Sequence, residues 1–407
     1  MVSLRSLLRS LALLTVATVV ALLLGEVGLR LAGQSYYWAF AKRPDPVLGW
    51  RPPPDRSAWQ RFEGEALVRT NALGFRDRNH RPSKPEDVLR IAVLGDSFTE
   101  AVQIPVEQTW WRLMEASLNR GACASDTPDK SFEVLNFAVS GYSPAQSLLA
   151  WRTFAKQFSP DVAILAFFIG NDLTESVRPL DQEPLRPYLI PTEQGLVLNT
   201  EFRHSPEYAA ATGLTGRTRQ WLVEHSRIAQ LVLQARDALR MRKIAPATTS
   251  RQDGPQELGV DNGVYRQPTT PAWTAAWDTT EAILAAFTAE ARASGTAPVL
   301  MIIGTGAQVH PNAHGRAQFA AALGVDDLGY PVRRLLRVAT RHRIAVLNLP
   351  ARWTAPGQTS DQPLYGLPGG RPGFGHWNQQ GHAEAAEAAA GLVCRLQAAL
   401  SLGDSGR

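Results

Sequence analysis

Four short stretches of this chain carry residues suited to acyl-transfer chemistry. VLGDSFTE places Ser97 directly after Gly95 and Asp96. A serine hydroxyl becomes a useful nucleophile only when a base lies within hydrogen-bond reach. GFGHWNQQGH near the C-terminus supplies His376 as that base. NFAVSGYS sets Gly141 in a tight turn, and FFIGND sets Asn171 just beyond an apolar run. The backbone N–H groups of Ser97 and Gly141, with the Asn171 amide, make a donor set for an oxyanion. Asp96 and Asp172 fit turn-forming and loop-bracing roles better than catalytic ones. Each short motif is weak alone; the order and placement of all four give them weight.

Stepping outward, each motif follows a strand or precedes a helix. The β-branched runs LRIAVLG (89–95), FEVLNFAV (132–139), DVAILAFF (161–168), APVLMIIG (297–304) and RIAVLNL (343–349) lack strict alternation, as strands buried on both faces do. Helical patterns separate them: one opened by Pro105 with Trp110, Leu113, Met114 and Leu118, another with Leu148, Leu149, Trp151 and Phe154, a third with Ile283, Leu284 and Phe287, and a last from about Ala383 to Leu400. This alternation predicts an α/β fold whose parallel sheet brings the strand ends, and so the motifs, to one crevice. An insertion at about 175–275 interrupts it. It holds an amphipathic helix with Ile228, Leu231, Val232, Ala235 and Leu239, then a loop rich in Pro, Gly, Thr and Gln from 244 to 275. Arg236, Arg240, Arg242 and Lys243 follow the usual charge preference of a solvated helix end, a simpler reading than contact with anionic headgroups.

Taken in order, Ser97, Gly141, Asn171 and His376 resemble the four blocks of the SGNH/GDSL hydrolase superfamily. The stretches NALGFRDR, VLGDSFTEAVQIP, VLNFAVSGYSPAQ, LAFFIGNDL and HWNQQGH are similar to its membrane-anchored bacterial branch, related to polysaccharide O-acetyl esterases and acetyltransferases. The resemblance runs from about Asn71 to the C-terminal helix, with a gap over the insertion. It implies a flavodoxin-like three-layer sandwich with a parallel five-stranded sheet. It also implies a serine esterase working through an acyl-enzyme, without metal or organic cofactor, on acylated carbohydrate or lipid, commonly acetyl groups of envelope polysaccharides. An O-acetyltransferase uses the same residues and differs only in its acyl acceptor. A non-catalytic glycan-binding domain remains the third reading. No G-x-S-x-G elbow supports an α/β-hydrolase instead.

One departure stands out. The family places an Asp two or three residues before its histidine, where this chain has Phe374 and Gly373. Asp361 is the nearest upstream acid, beyond a Gly/Pro-rich stretch. The expectation is a Ser–His dyad with a backbone carbonyl orienting His376, and Asp361 as the possible acid.

The N-terminus reads as a signal anchor over 1–33: Arg5 and Arg9 precede an uncharged apolar stretch from Ser10 to Gly25, with no convincing cleavage site. A cleaved signal is the alternative. A Pro/Arg/Asn-rich entry segment over 34–87 leads to the hydrolase domain over 88–402. The long domain after the anchor is expected on the periplasmic side of a bacterial inner membrane, within reach of polysaccharide-modification machinery. The formal charge of +5 is spread along the chain rather than blocked, which argues against nucleic acid. Two cysteines cannot build a cysteine-based zinc site. Cys123 follows the helix after Ser97, and Cys394 lies well down the final helix. Both helices run away from the catalytic end of the sheet, so the two thiols are expected to form a disulfide there.

Overall fold

The five β-branched runs form one parallel sheet in this computed structural model, which describes residues 4–123, 130–244, 257, 259–355, 362–368 and 370–404. The strands are β1 (Val88–Leu94), β2 (Ser131–Asn136), β3 (Val162–Phe168), β4 (Ala297–Ile303) and β5 (Ala345–Asn348), in the spatial order β2-β1-β3-β4-β5. Register is continuous: Val93 opposes Asn136, Leu94 opposes Leu165, and Ile303 opposes Phe168. Strand β3 is buried at every position, as a central strand covered on both faces must be. This is the flavodoxin-like order, whose direction reverses between β1 and β3.

Nine helices matter here. They are α1 (Leu4–Leu31), α2 (Ser97–Glu100), α3 (Trp110–Asn119), α4 (Pro144–Thr153), α5 (Leu214–His225), α6 (Arg227–Ile244), α7 (Pro271–Ala293), α8 (Tyr330–His342) and α9 (Gln379–Asp404). Right-handed crossovers put α4, α7 and α8 on one face of the sheet, because β2→β3→β4→β5 all step the same way. The β1→β2 crossover steps the other way, so α3 lies opposite, and α9 packs beside it. The local sequence explains the starts. Ser143 and Gln146 form a capping box with Pro144 in the first turn of α4, and Thr270 caps α7 just before Pro271. Thus α7 begins inside the stretch that the sequence suggested was loop.

The entry segment contains paired strands. It folds into two antiparallel hairpins, Arg43–Asp45 with Gly49–Arg51 and Ser57–Gln60 with Ala66–Arg69. The insertion adds a third hairpin, Tyr188–Thr192 with Gly195–Asn199, and the helices α5 and α6. Helix α1 is apolar and has no buried residues; at ~1.5 Å per residue its 28 residues exceed the ~30 Å of a bilayer core. Cys123 and Cys394 are disulfide-bonded, with Cα atoms 5.2 Å apart, at the end of α3 and along α9.

Candidate active site

Ser97, Gly141 and Asn171 stand at the carboxyl ends of β1, β2 and β3, beside the switch between β1 and β3. Asp96 N-caps α2 by accepting from the Phe98 amide at 3.0 Å, so Ser97 sits on the first turn of a short helix. Burial pushes the Asp96 carboxyl up to about 6, against the Phe98 hydrogen bond and the nearby His376. Asp172 accepts from the Phe168 amide at 2.8 Å and braces the end of β3. Burial, with Asp96 and Glu175 nearby, drives it well above the ordinary carboxylate range.

His376 Nε2 lies 2.8 Å from Ser97 Oγ. Its other nitrogen, Nδ1, is 2.5 Å from Oε2 of Glu63, and its backbone N–H donates to Oε1 of the same carboxylate at 3.0 Å. A glutamate thus stands where a backbone carbonyl was expected. Burial alone would raise the Glu63 carboxyl, but the hydrogen bonds and charge of His376 bring it below its ordinary value. Asp361 lies outside the described residues.

Glu63 sits in the turn between Ser57–Gln60 and Ala66–Arg69, where Gln60 Nε2 donates to its carbonyl at 2.7 Å. Two glycines allow this docking. Gly64 has φ +67°, and a Cβ there would lie 2.2 Å from the Gln103 carbonyl oxygen. Gly375 has φ +83°, and its Cβ would meet Glu63 Oε1 at 2.7 Å. The histidine segment is pinned in turn: Gly366 N–H donates to the His376 carbonyl at 2.9 Å, and the Phe98 ring lies 5.0 Å from the imidazole.

The donor set is braced from several sides. Among the described residues, the Ser97 and Gly141 N–H groups have no protein acceptor and remain available to a ligand. Ser140 N–H donates to Glu100 Oε2 at 2.6 Å, while Tyr37 O–H donates to Glu100 Oε1 at 2.6 Å. Arg76, fully buried, donates to the carbonyls of Glu100, Ala101 and Ile104; this is what the GFRDR stretch does. Arg186 from the insertion donates to the Gly141 carbonyl and to Gln146 Oε1, each at 2.7 Å, and pairs with Glu175 at 3.1 Å. Glu175 in turn accepts from Asn171 Nδ2 at 3.2 Å. Burial pushes Glu175 up to about 7, against the pull of Arg186.

Sequence reasoning missed Glu63 because 313 positions separate it from His376. The signal available was a turn, RFEGEA, between two short alternating runs. Even so, nothing there distinguishes Glu63 from Glu65, which instead pairs with Arg61 at 2.9 Å. Arg186 and Glu100 were equally silent, being ordinary charged residues until the fold buries them.

No protein-family model and no curated protein matches the chain. Among solved structures it is similar to the acetyl xylan esterase AlAXEase, at 12% identity and a TM-score of 0.37, over 74% of this chain and 98% of that one. It is also similar to a GDSL-like lipase from Bacteroides thetaiotaomicron, at 12% identity and a TM-score of 0.34, over 76% and 88% of the two chains. A variant of Axe2, an acetyl-xylooligosaccharide esterase from Geobacillus, matches at 12% identity and a TM-score of 0.35, over 75% and 94%. Likeness this distant leaves the site to be read from its own geometry.

Proposed function

We propose that this chain is a serine ester hydrolase working through an acyl-enzyme. The observation that carries the reading is the continuous relay from Ser97 through His376 to Glu63. His376 Nε2 takes the hydroxyl proton as Ser97 Oγ attacks the ester carbonyl carbon. Glu63 holds the Nδ1–H tautomer and stabilises the imidazolium that forms. The N–H groups of Ser97 and Gly141 and the Asn171 amide receive the oxyanion. His376 then gives its proton to the departing alkoxide, and a water, activated by the same imidazole, releases the acid.

The finer reading is an O-acyl group, acetyl above all, on an envelope carbohydrate. It is supported by the motif resemblance and by an apolar N-terminal helix on a domain with a disulfide, a bond rare in reducing compartments. The same features support an inner-membrane anchor with the domain in the periplasm.

The test is turnover of p-nitrophenyl acetate with covalent capture by a fluorophosphonate. Wild type is expected to show both and Ser97→Ala neither, with unchanged circular dichroism. Full activity in Ser97→Ala would move the nucleophile elsewhere. Burst release that turns over only when an oligosaccharide acceptor is added would replace hydrolysis by acyl transfer.

A further inference from the structure

Outside α1, nine large apolar side chains are well exposed among the described residues, and six of them lie on α5 and α6: Leu214, Trp221, Leu222, Leu231, Val232 and Leu239. A soluble surface scatters such residues, so this concentration needs a partner. On α6, positions 228, 231, 232, 235 and 239 fall in one arc of about 100°. Arg236 and Arg240 flank that arc on one side and Arg227 on the other. The opposite face is turned to the protein, where Asp237 accepts from the Tyr36 hydroxyl at 3.2 Å. On α5, Leu214 and Trp221 lie opposite Val223, which is buried in a small second core, and Leu222 lies about 100° round from it. Trp221, a residue type enriched at membrane–water boundaries, stacks on His225 with centroids 5.0 Å apart.

The position of this face identifies its occupant. The Glu26 carboxylate, at the inner end of α1, accepts from the backbone N–H groups of Arg227 at 2.8 Å and Ile228 at 3.2 Å, and from the Ser226 hydroxyl at 3.0 Å. Ile228 lies beside α1, where a Cβ added at Gly25 would be 3.6 Å from its terminal carbon. Arg30 pairs with Glu26 and also donates to the His225 carbonyl. The α5–α6 corner is therefore fastened where the apolar run of α1 ends and charge begins.

We propose that α5 and α6 form an interfacial pad that lies in the headgroup layer of the bilayer that α1 spans, an inference that rests on reading α1 as a membrane anchor. Leu214, Trp221, Leu222, Leu231, Val232 and Leu239 enter the acyl boundary, and the flanking arginines meet lipid phosphates. In this arrangement Arg227, Arg236 and Arg240 serve headgroups. The pad is also fixed to the catalytic parts. Val223 shares one small buried cluster with Ala58 and Val68 of the hairpin carrying Glu63 and with Val102 just after the Ser97 helix, and Ala229 and Leu233 pack against that cluster. Seating the pad in lipid holds the crevice at one height and tilt over the membrane surface.

The test uses the full-length chain in phosphatidylethanolamine/phosphatidylglycerol vesicles, with single spin labels at Leu14→Cys, Trp221→Cys, Val232→Cys and, as an aqueous control, Glu193→Cys. Oxygen and a water-soluble nickel chelate report depth. Positions 221 and 232 are expected to show an oxygen-to-nickel collision ratio several-fold above position 193, with position 14 deeper still. If 221 and 232 match 193 while 14 is deep, the pad is overturned and the anchor stands. An aqueous position 14 overturns the anchor reading and the pad with it. Shielding of 221 and 232 from both reagents, with dipolar broadening between chains, overturns the pad in favour of contact between copies.

Discussion

Glu63 occupies the place of the acid that the histidine motif lacks, and it binds His376 through both carboxylate oxygens. Glu63→Gln keeps the size and one acceptor but removes the charge that favours an imidazolium, and it admits the wrong tautomer. We expect kcat on p-nitrophenyl acetate to fall by ~10³–10⁴, the range known when a triad carboxylate is neutralised. Asp361→Asn should stay within about tenfold of wild type, since the Nδ1 position is already filled. Steady-state kinetics on the two variants side by side settles the matter; the reverse ranking returns the role to Asp361.

Between elements, the insertion reaches back to the crevice through Arg186. It ties Gly141 to Asn171 by way of Glu175, so donors from two different strands share one brace. Arg186→Ala should lower kcat by up to about 10² while leaving KM within a few-fold, because misplacing a donor by ~1 Å acts on the transition state. A change confined to KM would make Arg186 a substrate-binding group instead. A second tie joins α9 to α3: His382 Nδ1 accepts from the Trp110 N–H at 3.2 Å, at a helix start where Thr109 makes no side-chain cap. Burial, with Arg76 and His376 nearby, depresses His382 from 6.5 to about 3. The unfolded chain therefore takes up this proton first, so stability present above about 6.5 is lost as pH falls from there towards about 3. Thermal melts between pH 7 and 4.5 should fall more steeply for wild type than for His382→Gln, which keeps an acceptor without the titration. Parallel curves would show that His382 contributes nothing to acid sensitivity.

For the molecule as a whole, the disulfide is a covalent closure of a long loop. Cys123 and Cys394 are 271 positions apart, and the chain-entropy model gives about 5.6 kcal/mol as the most such a closure contributes. The bond lies past the end of α3 and partway along α9, and the shared packing of those helices would persist without it. Replacing both cysteines by serine should cost about 2–5 kcal/mol in denaturant unfolding yet leave kcat at 25 °C within a few-fold. A large kcat loss with unchanged stability would mean that the bridge positions His376 directly.

The sheet and four of the five groups at its mouth were legible in the residues alone. Buried parallel strands are read from continuous β-branched runs, and Ser97, Gly141, Asn171 and His376 lie in short motifs at strand or helix boundaries. The cysteine pairing was legible too, because helix lengths place both thiols at the same end of the sheet. The company these residues keep emerges only with folding. Glu63 reaches His376 because a hairpin from the entry segment folds over the Gln103 backbone, and Arg186 reaches Gly141 because the insertion turns back across the crevice. Neither contact leaves a local pattern, since a charged residue in a turn has the same sequence whether it meets water or a buried partner. The fate of the apolar stripe on α6 is decided the same way: its period fixes a face, and the cap from Glu26 fixes where that face points.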